Sequence, residues 1–451
     1  MNRLKYLTVD LPEDVAKVIS YGDFKKAGEL IDLYLERKIP QILKDRLIFE
    51  KDRLRRLKGE YIYSFDEAFN LASASIKDFT KEELSELKDE RYADWIYIDG
   101  EVAFHRRFFL NLLKVHPTVK NRLLEKSPAD KSYEASERAI DDLIKEGETK
   151  YFIHVKTGFQ LKDEALEAGK TIRVHLPIPR AAQQIKNIKI INTSHEPKII
   201  AGENHPQRTI YFEETAEPNQ AFTVEYSYES HLQYNDLDPA RVLKNQPAFY
   251  TGEWLPHIRF TPFLKELAKE IVADEQNPLI KARKIYDYIT RNVQYTFVRQ
   301  YAAITNIAEY AAYNLKGDCG IQALLFITLC RLVGVPARWQ SGLVIDPHRI
   351  GCHDWAEFYI EPYGWVFADP SFGGGGLRAN NERRWNFYFG NLDPYRMVAN
   401  SEFNYNFYPA KKFLRDDPCD NQIGEAEYED RPIFKDEHNL IQEIIEVKKI
   451  D

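Results

Sequence analysis

The chain has 451 residues, of which 44% are hydrophobic and 29% are charged, and its formal net charge is -8. This length is too great for one compact core and predicts several domains, while the composition excludes a disordered chain. The negative charge argues against a nucleic-acid backbone as the main partner. No run of about 18 apolar residues predicts a membrane helix.

The four cysteines do not form a recognisable framework. Cys319, Cys330, Cys352 and Cys419 include no CxxC pair, so their spacing predicts neither a zinc ribbon nor a disulfide scaffold. The first residues also lack the apolar run of a signal peptide. We therefore expect a cytoplasmic protein that uses no metal and no cofactor and does not contact a membrane.

Residues 1–146 are predicted to form an all-helical domain, because apolar residues recur at three- and four-residue spacing. Asp66-Glu67 and Thr80-Lys81 are typical of helix starts. An aromatic cluster in this region is either a ligand surface or a core, and aromatic stripes in helical domains favour the core. Its members are Tyr92, Trp95, Tyr97, Phe104, Phe108 and Phe109. Recruitment of a protein partner is the role that we consider for this domain.

Short alternating runs follow and predict an antiparallel β-sandwich over residues 147–234. Helical spacing then returns, and we assign residues 235–400 to a catalytic domain and residues 401–451 to a C-terminal extension. The whole chain is therefore predicted to belong to the α+β class.

The stretch from Ile321 to Val333 is apolar almost all round, which is typical of a buried helix. Gly334 and Pro336 end it, so its start falls at Gly317 to Cys319, with Asp318 as a candidate cap. A thiol at this position lies at the positive end of the helix dipole, which we expect to lower its pKa.

Cys319 has an alternative interpretation as a small buried hydrophobe. Its flanking glycines favour the reactive interpretation, because glycine opens the backbone where a substrate approaches. Cys330 lies within the helix and is assigned to the core, whereas Cys352 adjoins a histidine and is a candidate for a redox or tuning role.

Two strands of a hairpin carry the remaining candidates. His353 begins the first strand and Asp369 ends the second, so both lie at one edge, and a tight turn requires a bulge or an offset pairing between them. Asp369 would orient the His353 ring. His348 competes with His353, and Asp369 can also be interpreted as an ordinary turn residue.

Four ordered motifs resemble those of the transglutaminase-like superfamily, in particular of bacterial-type multidomain members. They are Gly317-Asp318-Cys319, Gly334-Val335-Pro336-Ala337-Arg338, His353-Asp354-Trp355 and Gly364-Trp365-Val366-Phe367-Ala368-Asp369-Pro370. The resemblance covers about residues 260–375 and extends more weakly into the β domain.

The resemblance implies a papain/transglutaminase-like core in which Cys319 is the nucleophile, His353 the base and then the acid, and Asp369 the orienting residue. Gly317, Asp318 and Trp355 would line the cleft. The backbone N–H of Cys319 is one oxyanion donor, and a second donor comes from an upstream side chain, with Gln294 and Tyr295 as candidates. Such a site attacks an amide or peptide carbonyl, so the expected partner is a peptide, protein or amide substrate.

The chain departs from two branches of the family. It lacks the zinc-binding CxxC pair of deglycosylating members and the acidic calcium loop of crosslinking members. A protease or amidase is therefore favoured over an acyltransferase. A catalytically silent binding module, a protein-crosslinking transglutaminase and a structural scaffold remain as alternatives. Phe372 to Gly376 is interpreted as a mobile rim of the cleft or as a flexible turn.

Overall fold

The structure is a computed structural model that describes residues 3–125 and 130–451. Helices and sheets are both abundant, and the predicted α+β class is confirmed. No helix within those two ranges is both long enough and apolar enough to span a membrane. Short 3-10 helices occupy Arg3–Thr8, Asp163–Ala165, Pro239–Arg241, Tyr301–Ala303 and Lys435–Glu437.

The N-terminal region is helical, as predicted, but it also contains a small antiparallel sheet. Its helices are α1 (Glu13–Ser20), α2 (Phe24–Leu35), α3 (Gln41–Glu60), α4 (Phe65–Ser73), α5 (Lys81–Asp89), α6 (Phe108–Val115), α7 (Pro117–Asn121) and α8 (Lys131–Glu146). The sheet has the order β1-β3-β2 and consists of β1 (Tyr61–Tyr63), β2 (Trp95–Ile98) and β3 (Glu101–His105).

Side-chain caps explain where two of these helices begin. The Ser64 hydroxyl accepts a hydrogen bond from the Glu67 N–H, and the Glu67 carboxylate accepts one from the Ser64 N–H, which forms a capping box at the start of α4. The Thr80 hydroxyl caps α5 by accepting from the Glu83 N–H. The predicted aromatic core is also present, because Phe104 and Phe108 are fully buried, whereas Tyr97 is half exposed.

The next region supplies six strands, which are β4 (Glu148–Leu161), β5 (Thr171–Pro177), β6 (Ile185–Thr193), β7 (Ile199–Ile200), β8 (Thr209–Thr215) and β9 (Ala221–Gln233). Buried and partly exposed side chains alternate along β4, with Ile153 and Val155 fully buried. This alternation is the pattern of a strand that has one face on a hydrophobic core.

The core region combines helices with a five-stranded antiparallel sheet of order β15-β14-β13-β12-β16. Its helices are α9 (Pro262–Val272), α10 (Pro278–Asn292), α11 (Ile307–Asn314), α12 (Cys319–Leu332), α13 (Pro370–Arg378) and α14 (Glu382–Phe387). Its strands are β10 (Gln294–Tyr295), β11 (Lys316–Gly317), β12 (Ala337–Ile345), β13 (Ile350–Ile360), β14 (Gly364–Ala368), β15 (Phe389–Gly390) and β16 (Arg396–Asn400).

Helix α12 is buried along nearly its whole length against β12 and β13, which agrees with its uniform apolarity. Gly334 follows it with a φ of 82°, a left-handed conformation that favours glycine. The buried helix and its stop were therefore predicted correctly from the sequence.

The interpretation of Phe372 to Gly376 as a flexible turn was wrong, because these residues lie within α13, although Phe372 and Gly375 do border a cleft. Asp369 caps this helix and Pro370 occupies its first turn, so the start is well specified despite the glycines. A Cβ at Gly373 would collide with the Tyr286 hydroxyl, and one at Gly376 would lie 2.9 Å from the Trp385 nitrogen. Close packing, and not flexibility, accounts for the glycines.

The last residues return to the β-sandwich. Strands β17 (Glu425–Tyr428), β18 (Pro432–Ile433) and β19 (His438–Ile450) extend its two sheets, whose orders are β19-β4-β9-β6 and β18-β17-β5-β8-β7. Strand β19 pairs with β4 along almost its full length. Residues 401–424 run between the core and these strands, and part of this connection passes the candidate site.

Candidate functional site

Cys319 is the first residue of α12, and the Asp318 carboxylate caps the helix by accepting from the Ile321 N–H at 3.3 Å. The glycines beside Cys319 are explained by crowding. A Cβ at Gly317 would collide with the Ile321 side chain, and one at Gly320 would collide with the Tyr301 hydroxyl and lie 2.7 Å from Asp354 Oδ2. The predicted helix start is therefore confirmed, but no open approach for a substrate underlies these glycines.

The Cys319 thiol donates a hydrogen bond to Asp354 Oδ2 at a sulfur–oxygen distance of 3.2 Å. Burial raises the pKa of this thiol well above its ordinary value, and the carboxyl groups of Asp354 and Asp318 raise it further. The expectation of a lowered pKa was therefore wrong for this conformation. Desolvation and two neighbouring acids outweigh the helix dipole, whose effect is about 1 kcal/mol.

The acids beside the thiol are themselves perturbed. Burial raises the pKa of Asp354 well above its ordinary value, and the charges of Asp420 and Asp318 act in the same direction. Burial likewise raises the pKa of Asp318 to about 6, although the Tyr301 hydroxyl donates to its Oδ1 at 2.5 Å and opposes that shift. Burial therefore favours the neutral form of both carboxyl groups that lie beside the thiol.

His353 lies in β13 and is fully enclosed. Its Nε2 atom is 2.7 Å from Asp369 Oδ2, and Arg396 Nη1 lies 2.9 Å from the same oxygen. Burial alone would raise the pKa of Asp369, but the charges of His353 and Arg396 hold it far below its ordinary value. This carboxylate is thus ionised and lies within hydrogen-bond distance of the imidazole.

Burial lowers the pKa of His353, Asp369 opposes that shift and Arg396 adds to it. The imidazole is consequently neutral at neutral pH. When its Nε2–H donates to Asp369, its Nδ1 is left as a free acceptor, which is the state that a general base needs. The rings of Trp355 and Phe372 hold the imidazole, with centroids 6.1 and 4.3 Å from its own.

Strand pairing explains how His353 and Asp369 meet. Strands β13 and β14 pair without a bulge, from Ala356 opposite Ala368 to Ile360 opposite Gly364. Continuing that register would put Asp369 opposite Trp355, and His353 is two residues further along the same face. The predicted offset pairing is therefore present as a diagonal contact, in which the His353 side chain reaches across the strand register to Asp369.

Cys319 and His353 approach β13 from different sides. Asp354, which binds the thiol, and His353 are successive strand residues, so their side chains point to opposite faces of the sheet. No hydrogen bond joins the thiol to the imidazole in residues 3–125 and 130–451. The structure thus brings together His353 and Asp369, and it gives Cys319 a different partner.

The two oxyanion candidates occupy different surroundings. Strand β10 pairs in parallel with β11, which places Tyr295 opposite Gly317. Burial raises the pKa of Tyr295 well above its ordinary value, and the adjacent Cys319 thiol raises it further. Gln294 lines neither of the cavities described below, within the part of the chain that the structure covers.

Two cavities adjoin these groups. Cys319, Asp318 and Asp354 line a cavity of about 240 Å³, whose lining also includes residues 416–418 and 420–425 and Arg106 and Arg107. A second cavity, which we call the imidazole cleft, has a volume of about 650 Å³ and is lined by His353, Phe372 and Tyr395. Residues shared by both cavities are Tyr295, Phe297 and Cys352.

Sequence reasoning missed three contributors to the site. Asp354 lies between the two motif residues His353 and Trp355, so the signal for it was present. Arg396 and Gln422 had no such signal, because they come from segments far along the chain. Gln422 Nε2 donates to Asp354 Oδ1 at 2.7 Å and to the His353 carbonyl at 3.2 Å.

The competing residues occupy other environments. Cys330 is fully buried in the core, as predicted, and Cys352 is exposed. His348 lies in the loop after β12, where its backbone N–H donates to Asp346. In the described ranges no three histidine, cysteine or acidic side chains come together in an arrangement suited to a metal ion.

Part of the core region matches a known protein family. Residues 265–370 match the family described as the Transglutaminase-like superfamily. The chain therefore contains a transglutaminase-like core, and the resemblance inferred from its four motifs is confirmed.

Two curated relatives also match part of the chain. An uncharacterized protein of Haemophilus influenzae is 26% identical over 139 residues, which is 26% of this chain and 38% of the relative. Uncharacterized protein YebA of Bacillus subtilis is 22% identical over 129 residues, which is 24% of this chain and 17% of that protein. The matched region thus spans well under half the length of either relative.

Two solved structures show a partial likeness. A candidate cysteine protease from Cytophaga hutchinsonii is 17% identical with a TM-score of 0.44, covering 67% of this chain and 91% of that one. The periplasmic domain of TgpA from Pseudomonas aeruginosa is 13% identical with a TM-score of 0.28, covering 55% and 95%. At these identities and scores neither likeness bears on the activity of this chain.

Proposed function

We propose that the transglutaminase-like core of this chain is a cysteine-nucleophile acyl-transfer enzyme that cleaves an amide or peptide bond through a thioester. The observation that carries this proposal is the buried His353–Asp369 pair at 2.7 Å, fixed by Arg396, in a core whose candidate thiol begins a capped helix. A neutral imidazole oriented by an ionised carboxylate is the arrangement that activates a nucleophile.

The resting thiol and the imidazole lie on opposite faces of β13, so the reaction requires a rearrangement that releases the thiol from Asp354 and brings it within hydrogen-bond distance of His353 Nδ1. The thiol then transfers its proton to that free nitrogen. The thiolate then attacks the substrate carbonyl, and a carbon–sulfur bond forms as the carbonyl oxygen becomes negative. The backbone N–H of Cys319, which has no acceptor within its own helix, and the Tyr295 hydroxyl are the donors that we assign to this oxygen.

Collapse of the tetrahedral intermediate breaks the carbon–nitrogen bond, and the His353 imidazolium gives its proton to the departing amine. Water then enters, His353 accepts one of its protons, and attack on the thioester releases the carboxylic acid and the thiol. Asp369 stays ionised throughout and stabilises each imidazolium.

Hydrolysis is our preferred outcome, with a peptide, protein or amide as the substrate and the cytoplasm as the location. Transfer of the acyl group to another amine would instead make the chain a crosslinking transglutaminase. A decisive comparison is product analysis by mass spectrometry after incubation with a peptide substrate, with and without a primary amine in excess.

A catalytically silent binding module is the second candidate, and one observation favours it. The resting thiol has a raised pKa and is bound to Asp354 and not to His353. A silent module would keep this arrangement, whereas an enzyme must leave it when substrate binds.

Acylation of Cys319 separates the two candidates. The protein is mixed with p-nitrophenyl acetate, and we expect a burst of nitrophenolate of one equivalent, with an acetyl group on Cys319 after acid quenching. Cys319→Ala should abolish the burst. Cys352→Ser is the matched control, because Cys352 is the exposed cysteine beside both cavities.

The Cys352→Ser protein should retain the full burst. Acetylation of Cys352 alone, or an unchanged burst in Cys319→Ala, would exclude Cys319 as the nucleophile. Absence of any burst at every pH tested would favour the binding module.

A further inference from the structure

The imidazole cleft is bounded on two sides by different parts of the chain. Helices α6 and α7 contribute Lys114 and Lys120, whereas the core contributes Arg349 and Arg378. All four side chains are exposed at the cleft. Its volume of about 650 Å³ lies within the range of clefts that bind small ligands.

The carboxylates that line this cleft are already engaged. Asp130 caps α8 by accepting from the Tyr133 N–H at 3.1 Å. Asp346 accepts from the Ser132 hydroxyl at 3.0 Å and pairs with Arg349 at 3.6 Å.

The third carboxylate, Asp393, lies 2.6 Å from Arg396 Nη2 and accepts from the Tyr388 hydroxyl at 2.8 Å. A fifth basic side chain of the cleft, Arg384, pairs with Glu137 at 2.7 Å. Across the described ranges, neither Lys114, Lys120 nor Arg378 forms an ion pair.

The unpaired cations lie near aromatic rings and near one another. The Lys114 ammonium is 5.0 Å from the centroid of Tyr295 and 5.2 Å from that of Phe297, the two rings shared with the Cys319 cavity. Desolvation lowers the pKa of Lys114, and the charges of Arg378, Arg349 and Lys120 lower it further. The cationic side chains of the cleft therefore repel one another, and a bound anion would reduce that repulsion.

We propose that the imidazole cleft is a substrate subsite that binds carboxylates of an acidic peptide, through Lys114 and Arg378, while the scissile amide reaches Cys319. This inference rests on the proposed function and names its substrate class. The carboxylate can belong to an aspartate or glutamate side chain or to the C-terminus of the peptide. The rings of Tyr295 and Phe297 supply an apolar contact between the anion and the nucleophile.

The test measures binding, so that it does not depend on turnover. Cys319→Ala protein is titrated into three fluorescein-labelled octapeptides and followed by fluorescence anisotropy. The first contains two glutamates and an amidated C-terminus, the second has glutamine at those positions and a free C-terminus, and the third has glutamine and an amidated C-terminus.

We expect the first or second peptide to bind about tenfold more tightly than the third, because two ion pairs are gained. Adding Lys114→Glu and Arg378→Glu should remove this preference. The matched control is Lys265→Glu, an exposed lysine of α9 that lies outside the cleft. It should keep the preference.

The milder pair Lys114→Gln and Arg378→Gln is measured alongside and guards against misfolding. The preference of this double variant for the first or second peptide over the third should fall without any change in its melting temperature. The first and second peptides identify which carboxylate is bound.

Equal affinity for all three peptides would overturn the proposal, and so would a preference that survives both double substitutions. Tight binding of a short oligonucleotide or of inorganic phosphate, with no preference among the peptides, would also overturn it. If the acidic peptide binds as expected but Cys319 is never acylated, the subsite stands and the proposed chemistry fails.

Discussion

The two faces of strand β13 provide opposite electrostatic environments for the two groups that must react. On the face toward α12, the Cys319 thiol meets Asp354 and Asp318, and its pKa is raised. On the other face, His353 meets an ionised Asp369 and the Arg396 guanidinium, and its pKa is lowered. Burial favours the neutral form of both groups, and the acids add to this effect at the thiol while the Arg396 cation adds to it at the imidazole.

This difference indicates that the proton is stored on sulfur in the resting state. Its transfer to the imidazole requires the thiol to leave the acidic face, because the imidazole lies on the opposite face of β13. A substrate that displaces the thiol from Asp354 would therefore control activation. The imidazole face needs no rearrangement, since its carboxylate and ring are already in contact.

The largest effect is expected from His353→Ala, which removes the only base assigned to the thiol. The rate of the acetylation burst should fall by about a hundredfold to ten-thousandfold. The variant should keep its melting temperature within a few degrees, which thermal unfolding checks. A burst of normal rate in His353→Ala would show that another group accepts the proton. His348→Ala is the matched control, because His348 lies in the preceding loop.

Asp369→Ala tests the other end of the pair and should destabilise the fold. It removes the carboxylate partner of His353 and one of the two carboxylate partners of Arg396 in a fully buried position, which costs about 3 kcal/mol of unfolding free energy. Urea unfolding measures this loss. Asp369→Asn keeps the size and should lose less.

The pH dependence of stability adds a check on Asp369. Its folded-state pKa is lowered, so its contribution is present above the ordinary value of 3.8 and is lost only as the pH falls below it. A contribution that disappears between pH 5 and 7 would contradict the ionised pair.

Asp354→Asn should produce a smaller effect of opposite sign on reactivity. Removing an acid that raises the thiol pKa should increase the thiolate fraction, by about tenfold for each unit of pKa. Labelling of Cys319 by iodoacetamide at pH 7, mapped by mass spectrometry, should accelerate. An unchanged rate would show that burial alone keeps the thiol protonated.

The same variant should flatten the pH dependence of stability. The folded-state pKa of Asp354 is raised, so the folded protein binds this proton more tightly than the unfolded chain does. Stability from this group is therefore greatest below the ordinary value of 3.8 and falls as the pH rises above it. Unfolding in urea between pH 4 and 7 should show that fall in the parent and less of it in Asp354→Asn.

Local signals in the sequence were sufficient for the parts of the site that one element determines. The Asp318 cap and the Gly334 stop defined α12, and the alternation placed His353 in a strand, although β13 begins three residues earlier, at Ile350, than predicted. The partner of the thiol was not predictable in this way, because it depends on which face of β13 packs on α12.

Contacts between segments that are far apart in the sequence could not be predicted from local sequence patterns either. Arg396 reaches Asp369 from the edge strand β16, and Gln422 reaches β13 from the connection to the sandwich. The glycines of α13 were misinterpreted for a related reason. Their composition suggests a flexible turn, whereas their role is to let Tyr286 and Trp385 pack closely, which only the assembled fold reveals.

Gln422→Ala should have the smallest effect and addresses the acidic face alone. The side chain donates to Asp354 and to the His353 carbonyl, so its loss removes two hydrogen bonds and costs about 1–2 kcal/mol of unfolding free energy. If Gln422 holds Asp354 against the thiol, labelling of Cys319 should also accelerate, but less than in Asp354→Asn. The double variant Gln422→Ala/Asp354→Asn should label no faster than Asp354→Asn, because both substitutions act through the same carboxyl. Additive rates would show that Gln422 restricts access to Cys319 independently of Asp354.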